Sequence, residues 1–173
     1  NQSVEALQAL PVPVVAQVPG ACAGFGLSLV LGCDLVVAAD SAYFTTAYAS
    51  IALSGDGGVS WLAPRILGRR KAFELLLLAD RFDAAEALRL GVVNRVVPAA
   101  ELDVAVADLL ARILRGPGRT YGEIKGLLNA SPDQSLGAQL QLEAEAFARC
   151  TSRPDFDEGI NAFLGKRKAR FNG

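Results

Sequence analysis

Histidine is absent from this 173-residue chain. Without it, no Ser–His or Cys–His pair can be assembled within the chain. The commonest zinc ligand is gone as well, so no metal site is expected. Methionine is also absent, and the chain is read as starting after its native start codon. Cysteine is scarce: Cys22, Cys33 and Cys150 show no ligand-like or disulfide-like spacing. An odd count with no secretory signal points to a reducing cytoplasm. Net charge is −1 with no basic stripe, which argues against nucleic acid as a partner. Charge is missing altogether from Ala6 to Cys33. A membrane span is the first explanation to weigh. Pro11, Pro13, Pro19 and four glycines interrupt the run. A buried strand followed by a buried helix accounts for it better, and no membrane contact is expected. Carboxylates are sparse too. Between Glu5 and Glu74 the only acids are Asp34, Asp40 and Asp56, so no pair of glutamates can be built there.

What is present is an apolar chain, 51% hydrophobic. That is too much for disorder, and the length suffices to bury a sizeable core. Residues 1–10 read as the end of a helix leading into a strand. Val12–Val18 is β-branched and apolar, with Pro11 and Pro13 at its start, where a strand tolerates them. Pro19-Gly20 signals a turn. Gly24–Gly32 is apolar all round, the pattern of a core helix. Leu35–Ala39 and Tyr43–Thr46 read as strands, Ser54–Gly58 as a loop, and Val59–Leu67 and Arg69–Ala79 as helices. Asp83-Ala84-Ala85-Glu86 is a capping box opening a helix that Gly91 stops. Val92–Val97 reads as a strand. Helices follow over 99–114, 120–129, 136–151 and 155–170. Strands alternate with helices first, and the tail is all helix. The expected architecture is an α/β core over 1–98 and a helical region over 99–173.

Leu10–Asp34 combines an apolar strand, a glycine-rich turn, a buried helix and an acid. It resembles the central motif of the enoyl-CoA hydratase/isomerase (crotonase) superfamily. Gly68–Leu77, Ala84–Pro98 and Phe163–Lys168 resemble later segments of that family, in order and at family-like spacing. The resemblance covers nearly the whole chain, and the family's domain begins earlier, so an N-terminal part is expected to be absent. It implies a crotonase-like spiral of ββα units whose C-terminal helices pack in a homotrimer or a dimer of trimers. Leu140, Ala144, Phe147, Ile160, Phe163 and Leu164 are the apolar positions for that packing. The implied partner is an acyl-CoA thioester. Coenzyme A is then part of the substrate, and no separate cofactor is expected.

The family's shared step stabilises a thioester enolate with two backbone N–H donors, an oxyanion hole. By resemblance one donor is the N–H of Phe25, between Gly24 and Gly26, at the start of the buried helix. A tight turn into a helix is the plainer reading. The second donor would lie in the absent N-terminal part. Hydratases of the family carry two glutamates, whose matching positions here are Ser28 and Tyr48. Ser28 can bond back to the preceding turn. Tyr48 can shape the acyl pocket, donate a hydrogen bond, or simply pack. Asp34 and Asp40 read as caps or ends of elements. Asp56 lies in a glycine-rich loop where dienoyl-CoA isomerases, phenylacetate-type isomerases and aromatic acyl-CoA dehalogenases carry an aspartate. Phe44–Leu62 looks most like the phenylacetate-type isomerases. The alternative for Asp56 is a helix N-cap.

One carboxylate suits moving a double bond, which takes a proton from one carbon and returns it to another. Desolvation by an apolar pocket would strengthen such a base; Phe25, Phe44, Tyr48 and Trp61 could line it. Phe163 and Lys166 match positions near coenzyme A in the family, with a solvated helix face as the alternative for the basic tail. The expectation is an acyl-CoA double-bond isomerase with Asp56 as proton shuttle. Two alternatives stand: an enoyl-CoA hydratase (lyase) of fatty-acid breakdown without its usual glutamates, and a catalytically weak acyl-CoA binder.

Overall fold

A computed structural model describes residues 2–171; Asn1, Asn172 and Gly173 lie outside the described residues. The chain divides into two compact units. One comprises the residues up to Ala9 and Val14–Ala107; the other comprises Leu10–Pro13 and the chain from Asp108 onward.

The first unit opens with helix α1 (Gln2–Ala9), then strands β1 (Val15–Val18) and β2 (Ala21–Ala23) and helix α2 (Phe25–Leu31). Strands β3 (Leu35–Ala39) and β4 (Tyr43–Thr45) follow, then helices α3 (Val59–Leu67) and α4 (Arg69–Leu78). Strand β5 (Phe82–Asp83), helix α5 (Ala84–Arg89) and strand β6 (Arg95–Val97) complete it, with the start of α6 (Leu102–Leu114). Strands β1, β3 and β6 form one parallel sheet, with Val15 opposite Leu35 and Val37 opposite Arg95. In the other sheet β4 lies between β2, parallel, and β5, antiparallel. Successive strands therefore go to different sheets and a helix closes each pair: β1, β2, α2, then β3, β4, α3. That is the expected spiral of ββα units. Val37, Ala38 and Ala39 are completely buried, as parallel strands covered on both faces require. Phe44 stacks on Phe82 with centroids 5.5 Å apart, pinning the second sheet to the core.

The second unit is helical: the end of α6, then α7 (Gly118–Ala130), α8 (Leu136–Thr151) and α9 (Pro154–Leu164). Glu123 on α7 binds Arg149 at 2.9 Å and Arg153 at 2.8 Å, tying α7 to the α8–α9 junction.

The local chemistry explains where elements begin and end. Asp83 caps α5 by accepting from the Glu86 N–H at 2.8 Å. The strand expected from Val12 starts only at Val15. Pro11 and Pro13 cannot donate to a sheet, and this stretch belongs instead with the second unit, where Lys125 Nζ donates to Val12 O at 3.4 Å. The strand expected over Val92–Val97 is shorter. Val92 and Val93 are buried, but their N–H groups go to Ala87 O at the end of α5. The last helix stops at Leu164, not Arg170. Gly165 ends it, Lys166 turns back with φ +50°, and Arg167 grips Glu158. Strand β2 falls in a stretch read as turn. Among the described residues, no helix is long and apolar enough to cross a membrane. The uncharged run resolves into α1, β1, β2 and α2.

Candidate active site

The turn between β2 and α2 rests on Gly24, whose backbone has φ +53° and ψ −123°. Only glycine adopts that conformation freely. Gly24 N–H donates to Thr45 O at 3.1 Å, fixing the turn to β4. Ser28 is the first residue of α2 to donate within the helix, to Gly24 O at 3.2 Å. The N–H groups of Phe25, Gly26 and Leu27 thus have no helical acceptor, and the positive end of the helix gathers there. Phe25 itself is 38% exposed.

The second wall is the loop before α3. Gly55, Gly57 and Gly58 all have positive φ, at +109°, +60° and +79°. A Cβ on Gly57 would come within 2.7 Å of Ser28 Cβ and 2.9 Å of the Phe25 ring. Glycine is what lets this loop lie against α2. Asp56 O accepts from Ser28 Oγ at 2.9 Å and from Val59 N–H at 3.2 Å. Ser28 is completely buried and Tyr48 is 7% exposed. Their hydroxyl oxygens are 3.1 Å apart, and Tyr48 Oη donates to Asp56 Oδ1 at 2.6 Å. Burial first, and then the bond to Asp56, holds the Tyr48 pKa above that of a free tyrosine. The phenol therefore stays a donor at neutral pH. No hydrogen bond from a described residue reaches the other carboxylate oxygen of Asp56.

Several expectations change against this geometry. Asp56 does not cap α3: the N-cap is Gly58, with no side-chain bond. Nor do these residues bury it, because Asp56 is exposed. Phe44 lies in the core against Phe82 and lines no pocket beside Asp56. Trp61 is exposed on α3, and the Arg65 guanidinium covers its ring at 3.7 Å. Gly26 has open space around its α-carbon. Ser28 does bond back to Gly24 O, at 3.5 Å, but its shorter contacts are to Asp56 O and Tyr48. Asp34 accepts from Val14 N–H at 2.7 Å and Asp40 from Ala99 N–H at 3.1 Å, so both secure the backbone. Phe163 and Lys166 belong to the second unit, at the end of α9 and just past it, both exposed. The basic tail is no helix face, since it lies beyond α9. Burial pushes the Cys22 thiol up to about 11, with Cys33 adding to the shift, so Cys22 is no nucleophile at neutral pH. No cluster of three potential metal ligands occurs among the described residues.

The Enoyl-CoA hydratase/isomerase family model matches residues 1–173. The chain belongs to that family. A 1,2-epoxyphenylacetyl-CoA isomerase of Escherichia coli K12 is 36% identical over 173 residues, covering 100% of this chain and 66% of the relative. A Rhodobacter capsulatus protein named "Probable enoyl-CoA hydratase" is 37% identical over 170 residues, covering 98% of the chain and 66% of the relative. Among solved structures, an enoyl-CoA hydratase from Polaromonas sp. JS666 superimposes with a TM-score of 0.95 at 37% identity, over 99% of this chain and 66% of that one. The chain thus spans just under two thirds of the length of these relatives. Sequence reasoning takes Ser28, Tyr48 and Asp56 one at a time; the structure joins them in one network. The signal available in the sequence is only the resemblance, which matches Ser28 and Tyr48 to the two glutamate positions.

Proposed function

We propose that this chain carries the proton-transfer part of an acyl-CoA double-bond isomerase. One observation supports the reading above the others. A single carboxylate, Asp56, stands beside the turn that presents the Phe25 N–H, with one oxygen held and the other unbonded among the described residues. Asp56 takes a proton from a carbon made acidic by the thioester. The electron pair moves onto the thioester oxygen as an enolate, which accepts a hydrogen bond from the Phe25 N–H. The same carboxyl then returns the proton to a different carbon, and the double bond has moved with no net gain or loss of atoms. Neither metal nor redox cofactor enters this scheme, and coenzyme A belongs to the substrate. The second oxyanion donor comes from a part of the domain outside this chain. Phe163 and Lys166 serve the coenzyme A moiety, and the working assembly is a homotrimer or a dimer of trimers.

A second reading draws on the names of relatives. Besides the Rhodobacter protein, a crotonyl-CoA hydratase of Syntrophomonas wolfei is 34% identical. Hydration needs a proton at one carbon and a hydroxyl at the next, and Ser28 and Tyr48 offer no carboxylate for the second task. One panel of 2-enoyl- and 3-enoyl-CoA thioesters tests both readings. Interconversion of the two positional isomers without 3-hydroxyacyl-CoA supports the isomerase. Accumulation of 3-hydroxyacyl-CoA overturns it, and tight acyl-CoA binding with no turnover supports the binder.

A further inference from the structure

We propose that Tyr48 is a positioning residue that assigns the two oxygens of Asp56 different jobs: Oδ1 is held by the phenol, and Oδ2 is the base. The inference rests on the isomerase reading. It starts from the contact that holds one oxygen in that reading, the 2.6 Å bond from Tyr48 Oη to Asp56 Oδ1. A hydroxyl donating to a carboxylate at that length is a strong, charge-assisted bond.

The phenol is itself fixed. Its ring is buried, and its oxygen lies 3.1 Å from Ser28 Oγ. Its backbone carbonyl accepts from the N–H groups of Ile51 and Leu53, at 3.1 and 3.0 Å. A Cβ on Gly55 would lie 3.5 Å from the ring, so the loop closes over one edge of it. Asp56, by contrast, is exposed and sits between glycines, with no flanking side chain to fix its rotation. The buried partner therefore orients the exposed one.

The hydroxyl protons are also counted out. Tyr48 has one proton, and it goes to Asp56. Ser28 has one proton and three acceptors within reach, Asp56 O at 2.9 Å, Tyr48 Oη at 3.1 Å and Gly24 O at 3.5 Å. The two shorter contacts tie α2, which carries the Phe25 N–H, to the network that holds the base. Enolate binding and proton transfer are then held in one register. The donated bond gives Oδ2 a fixed direction, and misplacing a reacting atom by an ångström costs about a hundredfold in rate.

The test is a double-mutant cycle on parent, Tyr48→Phe, Asp56→Asn and the double variant, using a short 3-enoyl-CoA. Isomerisation and exchange of the substrate's acidic C–H with deuterated water are both followed. Tyr48→Phe is expected to lower kcat about ten- to a hundredfold with KM unchanged. In the Asp56→Asn background it is expected to cost nothing further. Losses that multiply overturn the positioning role and leave the isomerase reading standing. Asp56→Asn at the parent rate, or a parent without turnover, overturns that reading and this inference with it. A readout free of turnover comes from tyrosine labelled at the ring carbon bearing the hydroxyl. Asp56→Asn removes the charge that raises the Tyr48 pKa, so one of the tyrosines is expected to titrate at lower pH than in the parent. If none moves, the phenol–carboxylate bond does not form in solution and the inference falls.

Discussion

Replacing the Asp56 carboxylate with an amide separates two jobs that one side chain can do. The amide oxygen of Asp56→Asn would remain an acceptor for Tyr48, and α3 takes its cap from Gly58. Asp56→Asn is therefore expected to cost about 1 kcal/mol, the difference between a charge-assisted and a neutral hydrogen bond, and to stay folded. Turnover is expected to fall by about a hundred- to ten-thousandfold, the usual contribution of a general base. Thermal unfolding and initial rates on the same samples check both. Phe25 gives the complementary case. Phe25→Pro deletes the N–H at a helix position where proline is tolerated and is expected to cost about a hundredfold or more in rate. Phe25→Gly keeps the N–H and is expected to cost much less; equal losses in two folded variants show that the side chain matters and the N–H does not. At this scale the sequence showed which residues were absent and where Asp56 stood. It did not show the bonds from Ser28 to Tyr48 or from Tyr48 to Asp56, because separations of 20 and 8 residues are closed only by the fold.

The loop ahead of α3 works as an element because its glycines permit it. Gly57→Ala is expected to cost about 1–3 kcal/mol, from strain at φ +60° and a Cβ 2.7 Å from Ser28. Gly58→Ala has φ +79° but nothing nearer than Leu62 at 3.6 Å, so it is expected to cost less. Urea unfolding of the two variants gives the comparison. Beyond α9, Glu158 accepts two bonds from Arg167, at 2.6 and 2.8 Å, and one from the Arg170 N–H at 2.7 Å. The Arg167 fork first, then the Arg170 N–H, hold its carboxyl down at about 2, from an ordinary 4.5. A depressed carboxyl stabilises the folded tail above its ordinary value. The tail contact is therefore expected to persist above about pH 4.5 and to be lost as pH falls from there towards 2. Amide exchange at Arg170 measures it, and Glu158→Gln is expected to remove the pH dependence. Helices α3 and α8 were legible to the residue, because periodicity and caps are local. The end of α9 was not, because the residues that turn the chain back answer to Glu158, about two helical turns upstream.

For the whole molecule, the apolar surface of the second unit forecasts self-association. Phe147 on α8 is 70% exposed and Phe163 on α9 is 81% exposed, and Leu136, Leu140 and Leu164 are exposed with them. Single exposed apolar residues are ordinary; several on one helical unit are what the proposed assembly would cover. Light scattering at micromolar concentration is expected to give a trimer or a hexamer, the closed symmetric outcome; a monomer counts against it. Fold class was readable at this scale from the order of strands and helices. The allegiance of Leu10–Pro13 was not, since four residues inside an apolar run carry no label for which unit they join. That allegiance governs the order of assembly. Val12 leaves the ribosome well before its partner Lys125, which follows 113 residues later. Contacts so far apart along a chain close late, after the loop between them has been ordered. Pro11 O would lie 2.5 Å from a Cβ on Gly122, so α7 must arrive with its smallest residue facing the strap. The helical unit cannot finish folding on its own schedule: one piece of it, Leu10–Pro13, is synthesised 95 residues ahead of the rest, which resumes at Asp108, and must wait until α7 has been made.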